Sequence, residues 1–183
     1  MKKAILLSSI VCAISQQAFA NEISADLNPD SFHAQFDATH ATNGIIYSGD
    51  LLLTTDQGKY IGAAMLTDGQ VGRNAQLSGG LGGKIYAIDD DSDTFGALAI
   101  GGRLRYTIPN YTDLSLATEV FYAPSITTTE DSTSLIEFSL RAEYKMFENA
   151  ALYGGVRHVE ANYDNGFEHE FDSGPHAGIR IEF

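Results

Sequence analysis

The last ten residues, Gly174 to Phe183, alternate without a break: Ala177, Ile179, Ile181 and Phe183 on one side, His176, Gly178, Arg180 and Glu182 on the other. A period of two predicts a strand with one apolar and one polar face. The same pattern recurs upstream. Phe32, Ala34, Phe36 and Ala38 interleave with His33, Gln35, Asp37 and Thr39, and Ile45, Tyr47, Leu51 and Leu53 oppose Ser48, Asp50 and Thr54. Tyr60–Leu66 follows the turn at Asp56-Gln57-Gly58, and Leu77, Leu81 and Ile85 then alternate with Ser78, Lys84 and Tyr86. Leu98, Ile100, Leu104 and Tyr106 face away from Arg103, Arg105 and Thr107, and Leu114, Leu116, Val120 and Tyr122 away from Ser115, Glu119 and Phe121. Ile136, Phe138, Leu140, Ala142, Tyr144 and Met146 oppose Glu137, Ser139, Arg141, Glu143 and Lys145, while Leu152, Gly154 and Val156 oppose Tyr153, Gly155 and Arg157. No 3.6-residue period competes beyond the first twenty residues, so the chain reads as all-β.

A strand that ends on Phe183, with apolar residues at every second position before it, resembles the closing strand of bacterial outer-membrane barrels, in which the apolar face meets lipid and the charged face a closed interior. Connection lengths agree: Pro109-Asn110 and Glu148-Asn149 make short turns, whereas polar links at Asp89–Asp93, Ser125–Thr133 and Asp164–Ser173 are longer. Tight periplasmic turns and longer outer loops are the habit of outer-membrane barrels. The expected fold is therefore an antiparallel up-and-down transmembrane β-barrel. Nine segments qualify as strands, but single-chain bacterial barrels have an even number. Counting back from Phe183 gives eight strands over residues 45–183 and leaves 21–44 as a periplasmic leader or an extra first strand.

The start of the chain, Met1-Lys2-Lys3 followed by an apolar run and Ala18-Phe19-Ala20, reads as a secretory signal peptide over residues 1–20. The only cysteine, Cys12, lies inside it, so no disulfide framework is expected. The formal net charge is −13, and losing Lys2 and Lys3 takes the mature chain to about −15. That balance offers no footing for nucleic acid. The expected partners are outer-membrane lipid, lipopolysaccharide and, through the C-terminal strand, the barrel-assembly machinery.

The polar faces define an expected lumen network of Arg103, Arg105, Glu119, Glu137, Arg141, Glu143, Lys145, Arg157, Arg180 and Glu182. At about eight strands side chains fill the interior, and buried charges must pair. A closed, ion-paired lumen is thus expected ahead of a charged constriction that selects solutes. Tyr106, Tyr144 and Phe183, with Ile179 and Ile181 on the closing strand, are expected in a periplasmic aromatic belt.

Catalytic and metal chemistry find little support in the spacing. His169 between Glu168 and Glu170, with Asp172 nearby, could bind a divalent cation but reads as a solvated acidic loop. Asp89, Asp90, Asp91 and Asp93, with Glu130 and Asp131, could share cations with lipopolysaccharide but read as soluble loops. His158 beside Glu160 would stand outward near the rim, with no serine beside it in strand register, so a lipid A-modifying enzyme ranks low. No enzyme activity and no cofactor are expected.

The runs Phe95–Tyr106, Val120-Phe121-Tyr122-Ala123-Pro124-Ser125 and Gly174–Phe183 resemble the YfaZ family of outer-membrane proteins, with matching order from about Ile45 to the end. His176 after Pro175 departs from the Gly-Pro-aromatic form expected there. The resemblance implies a small outer-membrane barrel, sometimes described as porin-like, and supplies no catalytic or binding residues. The function expected is a structural or interaction barrel; a narrow porin-like channel is the alternative, and a soluble periplasmic ligand-binding barrel, with apolar faces turned inward, is the second.

Overall fold

The computed structural model describes residues 19–40, 44–72, 76–89, 94–129, 132–163 and 168–183. Ten antiparallel strands close a barrel: β1 (Phe19–Leu27), β2 (Ser31–His40), β3 (Ile45–Thr54), β4 (Lys59–Thr67), β6 (Leu77–Asp89), β7 (Thr94–Thr107), β8 (Leu114–Ala123), β9 (Ser132–Phe147), β10 (Ala150–Tyr163) and β11 (Glu168–Glu182). The two-residue β5 (Gly69–Gln70) folds back on β6 between β4 and β6. Each strand pairs with its sequence neighbours, β4 pairs with β6 around β5, and β1 with β11 makes the seam. Asn21 and Phe183 exchange both backbone bonds at that seam, at 3.1 and 2.9 Å. The seam joins the first strand to the last and closes the sheet, the condition for a sheet to cross hydrocarbon.

The expected count of eight strands is corrected to ten. All nine candidate segments are strands, and the tenth is Phe19–Leu27, which runs from the last two residues of the expected signal peptide into the stretch that reads as polar leader. Residues 21–44 therefore carry most of β1 and all of β2. The polarity has a physical source: Ser24 and Asp26 face inward and are buried, while Ile23 and Leu27 face outward. The β1–β2 turn is held by Asn28, whose Oδ1 accepts the Asp30 and Ser31 amides at 2.7 and 2.6 Å. The signal peptide falls almost wholly outside the described residues, as do Asp90, Asp91, Asp93, Glu130 and Asp131 of the acidic loops.

Inside and outside are inverted relative to a water-soluble protein. Ile100 is 69% exposed while its neighbour Ala99 is 0% exposed, and Leu81, Ile61 and Ile85 also project outward. Lys84, Glu143 and Arg157 are buried. Such an exterior belongs against acyl chains, and the soluble ligand-binding barrel, which needs the opposite facing, does not fit it.

The interior has two zones. An apolar cluster that includes Leu52, Tyr60, Ile88, Phe95, Phe121, Leu135, Val159 and Phe171 gathers mainly at the end remote from the termini. Charged residues fill the middle and the terminal end. Where strands approach closely the inward position must be small: a β-carbon at Gly101 would overlap the Val120 carbonyl, and one at Gly155 the Leu140 carbonyl.

Candidate functional site

Among the described residues, the lumen gathers charged side chains from strands on every side. At its middle stands Lys84 of β6, whose Nζ lies 2.8 Å from Asp50 of β3 and 2.7 Å from Glu137 of β9. Glu137 also accepts the Tyr60 hydroxyl at 3.1 Å and the Tyr86 hydroxyl. The ammonium faces the rings of Tyr86, Phe121 and Tyr60, at 4.8, 5.3 and 5.5 Å to their centroids. A cation within about 6 Å of ring centroids is held by their quadrupoles as well as by its carboxylates. Lys84 thus joins the charged zone to the aromatic one above it.

A second cluster surrounds Arg157 of β10. Its Nη1 donates to Asp26 at 2.8 Å and its Nε to Asp172. Asp26 also accepts the Tyr153 hydroxyl at 2.8 Å and lies 3.2 Å from His33 Nδ1. His33 Nε2 is 3.8 Å from Asp50, which links the Arg157 and Lys84 clusters. Ser31 and Asn28 donate to the remaining Asp172 oxygen.

Toward the termini a third cluster knits β1, β2, β7, β8, β9 and β11. Arg103 donates to Asp37 and lies 3.7 Å from Glu119. Glu143 collects Arg141 at 2.8 Å, Arg180 at 3.2 Å and Arg105 at 3.3 Å, and Arg180 also reaches Glu22 at 2.9 Å and Glu182. A cavity of about 190 Å³ opens here, lined by Glu22, Asp37, Arg103, Arg105, Glu119 and Arg141 among others. Beyond it, a pocket of about 10 Å³ lies between His33, Glu137, Arg157 and His176. That is room for about one water molecule.

Of the ten residues expected in the lumen, the fold brings nine into these ion pairs, and Lys145 is exposed near the β9 end. Glu182 is half exposed on its side chain, at the rim. Asp26, His33, Asp37, Asp50, Lys84 and Asp172 belong to the same network and were not among the ten. Four of them share the polar faces of candidate strands, and the excess of six cations over four acids in the expected set is itself a signal that acids were missing. Asp26 and Asp172 lay in stretches read as leader and loop.

On the exterior Tyr144 and Phe183 are exposed and Tyr106 partly so, with Ile179 and Ile181 outward on β11. Tyr111 and Phe147 add aromatic surface at the same end. His169 lies 3.1 Å from the Gln57 carbonyl and packs on Phe171 at 4.6 Å, while Asp172 turns into the lumen. The stretch read as a solvated loop is instead the start of β11, the cation arrangement weighed for it does not converge, and among the described residues no group of three His, Asp or Glu could hold a metal. Asp89 pairs with Lys59 at 2.8 Å.

Comparisons with known proteins give distant structural likenesses and one family. The fold has a TM-score of 0.46 to the outer membrane channel DcaP of Acinetobacter baumannii, at 11% identity over 87% of this chain and 54% of that one. For the outer membrane protein OpdK of Pseudomonas aeruginosa the TM-score is 0.33, at 10% identity over 84% and 57%. The chain spans little more than half the length of either structure, and likenesses this distant carry no functional argument. No curated protein matches the sequence. An apolar belt outside a closed, charged barrel is the organisation of an exported outer-membrane protein. The model of the YfaZ precursor family matches residues 1–183, and the chain belongs to that family.

Proposed function

We propose that the protein is a structural and interaction barrel of the outer membrane whose lumen is closed to solutes. The carrying observation is the Lys84 cluster: one ammonium ties β3 to β9 across the interior, beneath an aromatic layer, and the pocket next to its partner Glu137 measures about 10 Å³. A hydrated ion needs a wider, continuous path. Ten strands enclose more space than eight, and here large side chains (Tyr60, Tyr86, Phe95, Phe121, Phe171) and paired charges occupy it. Lipid and lipopolysaccharide contact the apolar belt and its rims, and the C-terminal strand is the handle for assembly. The mature charge of about −15 leaves nucleic acid without a role.

A narrow porin-like channel is the second reading, favoured by the 190 Å³ vestibule and its three arginines. Recordings in planar bilayers separate the two. The closed barrel gives no stepwise current, and steady unit conductance from the wild-type protein overturns it.

A further inference from the structure

The outer face of β10 and β11 carries an arrangement that the lumen does not explain. The register sets His158 directly opposite Ser173, contrary to the expectation that no serine stands beside this histidine. Ser173 Oγ lies 3.3 Å from His158 Nδ1, and the other ring nitrogen, Nε2, lies 3.3 Å from Glu160 Oε2. Asn162 Nδ2 donates to the second Glu160 oxygen at 3.1 Å. His158, Glu160 and Asn162 share one strand face by the two-residue period. Ser173 is exposed and His158 partly so. A β-bulge between Val159 and Glu160 shifts the register just above the pair, and the β1–β11 ladder stops at Leu27↔Ala177, so β11 beside Ser173 has a strand on one side only.

We propose that Ser173, His158 and Glu160 form a hydrolytic site for long-chain acyl esters of membrane lipids. Nucleophile, base and orienting acid in one chain of contacts is the working logic of serine hydrolases. In the tautomer protonated at Nε2, that N–H donates to Glu160 and the Ser173 hydroxyl donates to Nδ1. Ser173 Oγ attacks the ester carbonyl as its proton passes to Nδ1. The C–O bond to the alcohol breaks, and the alcohol leaves with that proton, giving an acyl-serine. Water, losing a proton to Nδ1, then attacks the acyl carbonyl. Fatty acid departs, and the proton returns to Ser173. Glu170 Oε2, 3.7 Å from Nδ1, lies where it can balance the imidazolium in between.

The setting selects the substrate class. Below the pair the same faces carry Val156 and Leu152 on β10 and Pro175, Ala177 and Ile179 on β11. Above it stand Glu160, Asn162 and Glu170. The hydroxyl therefore sits where an apolar belt meets a polar rim, the depth at which a lipid presents its ester with acyl chains on one side and headgroup on the other. Glycerophospholipid and lipopolysaccharide share that chemistry. The site is on the outside of the wall, so it stands or falls independently of whether the lumen conducts.

The test uses the mature barrel folded in detergent, incubated in one arm with diacyl phosphatidylethanolamine micelles and in the other with purified lipopolysaccharide. A long-chain fluorophosphonate probes the serine in parallel. The expected result is fatty-acid release in at least one arm, which identifies the source, and probe adduct on Ser173. Ser173→Ala and His158→Asn lower release by about 100-fold or more, with the unheated-gel mobility of the folded barrel unchanged. Glu160 acts as a positioning residue, so Glu160→Gln lowers kcat at unchanged KM and Glu160→Asp restores part of it. Absence of release from both lipids together with absence of labelling overturns the proposal, as does release that persists in Ser173→Ala.

Discussion

Replacing Lys84 by Met keeps most of the side chain's volume and removes its charge. Two carboxylates then lose their cation: Asp50 keeps only His33 at 3.8 Å, and Glu137 keeps the hydroxyls of Tyr60 and Tyr86. All of these groups are buried. Removing one partner of a buried pair costs about 3–5 kcal/mol, because the remaining charge cannot return to water. With a urea slope of about 2 kcal/mol/M, the unfolding midpoint should fall by about 1.5–2.5 M. The assay is urea unfolding of the folded barrel in lipid vesicles, followed by the unheated-gel mobility shift and by far-ultraviolet circular dichroism. Replacing all three groups, in Lys84→Met with Asp50→Asn and Glu137→Gln, removes the orphaned charges and should recover a large part of the loss. A Lys84→Met midpoint equal to wild type, or a triple variant weaker than the single one, would refute the claim that pairing rather than bulk holds the lumen together.

Three further outcomes follow from the same geometry. Leu140→Arg puts a charge on the lipid face and should cost about 2–4 kcal/mol if that position lies at mid-membrane depth, measured in the same urea titration. Gly101→Ala sets a β-carbon against the Val120 carbonyl and should lower the fraction that refolds into vesicles, read from band mobility without heating. Deleting Phe183 removes the two backbone bonds to Asn21 at the seam and should reduce the amount inserted in the outer membrane, read by fractionation of cells expressing the truncated chain.

How far the sequence announces this molecule depends on where each residue sits. Along β9 the alternation of Ile136, Phe138 and Leu140 with Glu137, Ser139 and Arg141 is clean, since one side meets lipid and the other a charged interior. The signal fades toward the far ends of the strands, where Phe95, Ile88, Val159 and Phe171 are buried inward while Leu98, Ile85 and Val156 project outward. With both faces apolar, a period of two carries no information about facing, and the apolar cap of the lumen stays hidden. β1 escapes for another reason. Its inward acids, Glu22 and Asp26, look like leader polarity until their partners Arg180 and Arg157 arrive from the other end of the chain. The Ser173–His158 contact depends on the β10–β11 register, which the bulge at Val159 and Glu160 makes illegible from spacing alone.

The central claim is that one face of each ribbon meets hydrocarbon and the other a sealed interior. It can be tested at two adjacent positions of β7, because Cys12, in the expected signal peptide, is the only cysteine of the chain. In the folded barrel in vesicles, cysteine at position 100 should react with a lipid-phase maleimide and resist a charged, water-soluble methanethiosulfonate, while cysteine at position 99 should resist both. Rapid modification at 99 by the charged reagent would reveal a water-filled lumen, and modification at 100 by that reagent would place the apolar face in water.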